Sequence, residues 1–205
     1  MWKLNLDTEV KITKLKGSKI FTIDNVFAEP KKLERFLFSR HTALVENKEP
    51  FQANGDQFLK GRYHDFRDKA APLVWLASKL CEQKPSFFGS FKTNQECWLK
   101  SDFNDWENNY WFPHLDNGYN CIVYFNDDTV NGTNLYKPPY ESTTEEGVEP
   151  EIPKDQVELL YHFKPTYNKL VIFDGTYFPH GMALNDDRYF GNTYRVNQVF
   201  FQKYE

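Results

Sequence analysis

Apolar residues recur at two different periods along this chain, and the change falls near residue 88. Before it, alternation over residues 4–15 and again in "SKIFTI" (18–23) predicts two strands. The stretch "DNVFAEPKKLERFLFSR" (24–40) then spaces Leu33, Phe36 and Leu37 at helical intervals, with Pro30 suited to an early turn. Residues 41–62 are polar and irregular. In "DKAAPLVWLASKLCEQ" (68–83), Leu73, Leu76 and Leu80 share one side of a second amphipathic helix, which Pro72 either starts or kinks. From residue 88 the period is two. "FGSFKTNQECWLK", "YNCIVYFND", "GTNLYKP", "NKLVIFDG" and "NTYRVNQVFFQ" predict strands, and "LLYHFKP" places His162 on a strand as a half-buried residue. The acidic segment "ESTTEEGVEPEIPKDQVE" has Pro and Gly but no apolar period, which predicts an exposed loop.

Two helices followed by an all-β half, with no linker between them, predict one α+β, mainly β domain over residues 1–205. Residues 1–90 would form a helical support region and 91–205 the β core. A chain of 205 residues is long enough to bury a sizeable core. Aromatics make up 18% and fall largely in the alternating runs, which strengthens the sheet reading. A formal net charge of −4 lacks the basic footprint of a nucleic-acid binder. Cys81, Cys97 and Cys121 are odd in number and form no CxxC pair, so neither a disulfide framework nor a thiolate zinc site is expected. The first residues alternate apolar and charged side chains without a continuous apolar run. The expectation is a cytoplasmic protein with no signal peptide or membrane span.

The candidate chemistry starts in "YWFPHLDNG", where His114 and Asp116 stand two residues apart. In an extended segment residues i and i+2 face the same way, so an imidazole and a carboxylate can aim at one point. Among the other histidines, His41 and His64 sit in polar surroundings and suit surface roles. His180 differs, because it follows the apolar run "KLVIFDG" and the turn signals Asp-Gly and Phe-Pro, at the mouth of a sheet. Two imidazoles and one carboxylate on one face of an octahedron leave up to three positions open and suit Fe(II). A structural zinc site would close with a fourth protein ligand, and none is evident.

The order of these parts resembles the iron(II)/2-oxoglutarate-dependent dioxygenases, and within them the prolyl-hydroxylase-like branch. The parts are His-x-Asp, the strand "CIVYFND", the turn and strand "NGTNLY", a histidine after "KLVIFDG", and an arginine opening a last strand, spread over about residues 95–203. The resemblance implies a double-stranded β-helix, a jelly-roll or cupin-like core carrying N-terminal helices. It also implies His114, Asp116 and His180 as iron ligands and catalytic residues, 2-oxoglutarate as cosubstrate, O₂ as oxidant and ascorbate as a supporting reductant. The implied reaction is hydroxylation of a C–H bond, with a proline or other amino-acid side chain, free or in a peptide, as the first substrate to consider. With Asp116 present, halide has no vacated ligand site, which disfavours halogenation.

The far carboxylate of a five-carbon diacid calls for a guanidinium, which binds it bidentately. Arg195 opens the last strand on the face of Asn197, Val199 and Phe201, 15 residues after His180 and at a longer interval than the family usually shows. A structural salt bridge is the competing role for Arg195, and Arg188 in "NDDRYFGN" reads as exposed. Tyr124 matches the position of a cosubstrate-binding tyrosine, or is plain core. Asn134 falls where relatives line the cosubstrate pocket, or is a turn-adjacent polar residue, and Asn131 stands where relatives show a glycine. Trp106, Tyr110 and Trp111 form either a substrate wall or surface packing. Two other readings use the same residues. One is a Zn(II) hydrolase on the three ligands, which leaves Arg195 without a role. The other is a non-catalytic jelly-roll module that grips a sugar or peptide with its aromatics.

Overall fold

The period-two segments pair as antiparallel strands in two sheets that face each other. The structure, a computed structural model, describes residues 2–39, 43–44, 61–63, 71–82, 90–95, 113–126, 131–137, 157–183 and 196–202. In chain order the elements are β1 (Val10–Leu15), β2 (Ser18–Ile23), α1 (Pro30–Ser39), β3 (Ala43–Leu44), β4 (Gly61–Tyr63), α2 (Ala71–Cys81) and β5 (Ser90–Gln95). They continue with β6 (Tyr119–Tyr124), β7 (Gly132–Tyr136), β8 (Leu159–Phe163), β9 (Lys169–Asp174), β10 (His180–Ala183) and β11 (Val196–Gln202). The larger sheet runs β1-β2-β9-β6-β11-β5-β4-β3 and the smaller one β10-β7-β8. Strands distant in sequence lie side by side, which is the arrangement of a jelly-roll or cupin-like core.

The parity of β6 defines the layers. Cys121 and Val123 join Leu33 of α1 and Leu73, Val74 and Ala77 of α2 in one apolar cluster, so the helices cover the outer face of the large sheet. Ile122 and Tyr124 point the other way, into a second cluster with Leu135, Phe163, Phe173 and Phe178 between the two sheets. A strand covered on both faces needs no polar residues in its middle. This is why "CIVY" is apolar throughout instead of alternating.

Local chemistry sets the element ends. Lys16 and Gly17 both take positive φ, 48° and 90°, which gives the two-residue turn that a right-twisted hairpin requires between β1 and β2. The expected strand over residues 4–15 is shorter, because the chain turns at residues 6–7. Residues 3–5 instead bond to residues 26–28, through Asn5 N to Val26 O at 2.9 Å and Ala28 N to Lys3 O at 2.9 Å. The first helix starts at Pro30, the early-turn residue of the sequence reading, after Asn25 at φ 57° ends the preceding strand in a turn. Residues 41–62, expected to be irregular, contribute the short edge pair β3 and β4. No helix among the described residues is long and apolar enough to cross a membrane.

Asn168 ties the N-terminal segment to the barrel. It sits at φ 59°, 2% exposed, and its amide imitates a strand partner: Oδ1 accepts from Phe27 N at 3.0 Å and Nδ2 donates to Phe27 O at 2.9 Å. Asn168→Ala would leave a buried N–H and C=O without partners in a left-handed backbone position. It is expected to cost about 2–4 kcal/mol in denaturant unfolding.

Candidate metal centre

The loop before β6 and the start of β10 build the site at one end of the jelly roll, and backbone pairing holds them in register. His114 and His180 form an antiparallel bridge, N to O at 3.0 Å and 2.9 Å in the two directions. Two residues on, Asp116 N donates to Gly175 O at 3.0 Å and Gly175 N to Gly118 O at 2.8 Å. Thr176 locks the same contact, its Oγ1 donating to Asp116 O at 3.0 Å and accepting from Gly118 N at 2.6 Å. Gly118 takes φ 102°, a conformation that favours glycine, and this turns the chain from the ligand loop into β6. The "PHLDNG" segment is thus an extended loop bridged at His114, not a regular strand, yet the i and i+2 side chains still converge.

One ligand-type atom from each of His114, Asp116 and His180 falls within 4.8 Å of the others. His180 Nε2 is 3.1 Å from Asp116 Oδ2, and His114 Nε2 is 3.9 Å from the same oxygen. Metal–ligand bonds of about 2.1 Å put neighbouring donors of an octahedron about 3.0 Å apart. The first pair therefore has the required spacing, and the second needs His114 to move in by roughly 1 Å. His180 Nδ1 is 3.0 Å from Phe178 O. A carbonyl only accepts, so Nδ1 carries the proton and Nε2 presents its lone pair to the site, the tautomer a metal ligand needs. Burial alone would raise the Asp116 pKa. The neighbouring His180 and His114 imidazoles and the Asn120 amide outweigh it and hold the carboxyl well below its usual range. Two nitrogens and an ionised oxygen, with tautomer and charge already set, fit a divalent ion.

Asn120 was not among the residues singled out from sequence. Its Nδ2 lies 2.6 Å from Asp116 Oδ2 and 2.7 Å from His180 Nε2, so it touches two of the three ligands. The signal available was parity: 114, 116 and 120 are in phase, but the turn at Gly118 breaks the strand that would make phase meaningful.

The remaining candidates divide. Tyr124 is buried on the inward face of β6, with its hydroxyl 2.7 Å from Thr133 Oγ1. Asn134 turns to the other face of β7, where Oδ1 meets His162 Nδ1 at 2.8 Å and Nδ2 donates to Tyr136 Oη at 3.2 Å. The inward place belongs to Thr133, because pairing with Phe163 fixes the parity of β7. Arg195 lies outside the described residues, as do Trp106, Tyr110 and Trp111. On β11, Val199 packs against the cluster between the sheets, and Asn197 is buried opposite Tyr124 with Oδ1 lacking a partner. Burial pushes the Cys81 thiol up to about 12, with the Asp174 charge adding to it, and raises Cys121 well above its usual value. Neither thiol offers a ligand to the site.

The sequence matches no protein-family model and no curated protein. Among solved structures it is similar to the epimerase SnoN in complex with Fe3+, alpha ketoglutarate and nogalamycin RO. The TM-score is 0.50 at 12% identity, covering 89% of this chain and 78% of that one. At this identity the likeness establishes a shared fold.

Proposed function

We propose that the protein is an Fe(II)- and 2-oxoglutarate-dependent oxygenase that hydroxylates a C–H bond. The observation that carries this reading is the convergence of His114 and Asp116, from the loop before β6, with His180 at the start of β10, at the mouth of a jelly roll. The similarly folded epimerase, solved with Fe3+ and alpha ketoglutarate, supports it. His114, Asp116 and His180 would hold the metal and keep the remaining coordination positions for the keto acid and oxygen. When bound, iron with 2-oxoglutarate and O₂ supplies the oxidising chemistry, in which the keto acid loses CO₂ to become succinate and the second oxygen atom enters the substrate.

The chain's own residues provide placement. The Phe178 carbonyl keeps the His180 proton on Nδ1 and turns Nε2 toward Asp116 and the site. Tyr124, Thr133 and Asn197 form a polar group on the inward walls. Tyr124 is four residues along β6 from Asn120, about 13 Å deeper at strand rise. With Arg195 at the entry of β11 they would receive the far carboxylate of the diacid, and Trp106, Tyr110 and Trp111 would wall the substrate. Asn134 has no part in this pocket. A proline or other amino-acid side chain, free or in a peptide, is the substrate class that the prolyl-hydroxylase likeness favours.

Anaerobic addition of Fe(II) and 2-oxoglutarate should produce a weak visible charge-transfer band. Admission of O₂ with ascorbate and candidate amino acids or peptides should then release succinate in a substrate-dependent way. A colourless mixture and metal-independent succinate would end this reading.

A further inference from the structure

Asn120 occupies an unusual position for a neutral side chain. It is 3% exposed on the inward face of β6, and one amide nitrogen reaches both Asp116 Oδ2, at 2.6 Å, and His180 Nε2, at 2.7 Å. An amide nitrogen has two hydrogens, so it can serve a carboxylate oxygen and an imidazole lone pair at once. The opposite end of the amide is confined. Asn120 Oδ1 is buried without a partner, and a Cβ at Gly175 would come within 2.5 Å of it and within 3.0 Å of Gly118 O. Glycine at 175 therefore leaves room for this amide in this orientation, and the β6–β9 pairing of Asn120 with Phe173 fixes its height.

We propose that Asn120 is the positioning residue of the metal centre; the proposal rests on the metal-centre reading above. The Asn120 amide bridges Asp116 and His180 and offsets their desolvation. His180 Nε2 would hold the metal in place of this Asn120 N–H, with its Nδ1–H kept on Phe178 O. The other Asn120 N–H stays on Asp116 Oδ2, the oxygen nearest to both imidazoles. It thereby fixes the carboxylate's rotation and leaves that oxygen's second lone pair for coordination.

The test is anaerobic titration of the full chain with Co(II) alone, read by its visible spectrum and by competition with a chelator. His180→Ala and the thermal midpoint of each metal-free variant serve as controls. Asn120→Ala should bind Co(II) about 10–100-fold more weakly, with a changed spectrum as the carboxylate reorients. Gly175→Ala, which crowds the Asn120 amide and the Gly118 carbonyl together, should weaken binding in the same direction, and the near-isosteric Asn120→Leu, which removes the donors and keeps the volume, decides the matter if Asn120→Ala does not fold. Wild-type affinity and spectrum in these variants would overturn the role of Asn120 and leave the centre standing. Wild-type Co(II) binding that His180→Ala leaves unchanged would overturn the centre itself, and this proposal with it.

Discussion

Asp116→Ala is expected to abolish metal-dependent turnover and to weaken metal binding by more than about a hundredfold, the upper range for losing only a ligand's supporting partner. Asp116 supplies the only anionic donor of the cluster and the oxygen on which both imidazoles and Asn120 converge. The loop should survive the change, because its backbone bonds to Gly175 and Thr176 do not involve the carboxylate. Stability separates the roles further. The folded-state pKa of Asp116 lies below its ordinary value of 3.8. The ionised carboxylate therefore stabilises the metal-free fold above about pH 4, and that contribution is lost as pH falls toward the depressed pKa. Denaturant unfolding of wild type and Asp116→Ala should differ at pH 7 and converge on strong acidification. Chelator competition with Co(II) measures the binding loss, and retained affinity in Asp116→Ala would remove this residue from the ligand set.

The cluster of His114, Asp116 and His180 was legible in sequence because each member carries a local signature. His-x-Asp converges in any extended backbone, and His180 follows an apolar run closed by turn residues. The loop hydrogen bonds through Gly118, Gly175 and Thr176 were not legible, since they join positions some 60 residues apart, mostly through backbone atoms that any sequence possesses and otherwise through one threonine hydroxyl. Asn134 shows a different limit. Alternation says that neighbours on a strand point oppositely, but it does not say which one points in. The partners of β7 decide that, with a register shift between Leu135 and Tyr136 that no pattern in "GTNLY" announces. The short strands β3 and β4 were hidden for a related reason: two- and three-residue edge strands have no period to detect. Tyr124 was found as a position, but its hydroxyl partner, Thr133, required the fold.

Phe173→Ala is expected to cost about 3–5 kcal/mol of stability, among the largest effects for a single core truncation. Phe173 is fully buried between the sheets, with its ring centroid 5.8 Å from Phe163 in a stacked pair and 4.9 Å from His180 in an edge contact. The same ring thus fills the barrel and forms a wall of the ligand imidazole. Removing it leaves a cavity beside His180 that the rigid backbone bridge to His114 cannot close. The imidazole, held at its edges by the Nδ1 contact to Phe178 O and the Nε2 contacts to Asn120 and Asp116, would lose the wall against its face, so metal affinity should fall together with stability. Phe173→Leu separates these effects. Leucine restores much of the apolar volume but no ring wall, so it should recover more of the unfolding free energy than of the Co(II) affinity. Equal recovery of both would show that Phe173 acts on the metal centre only through the packing of the core.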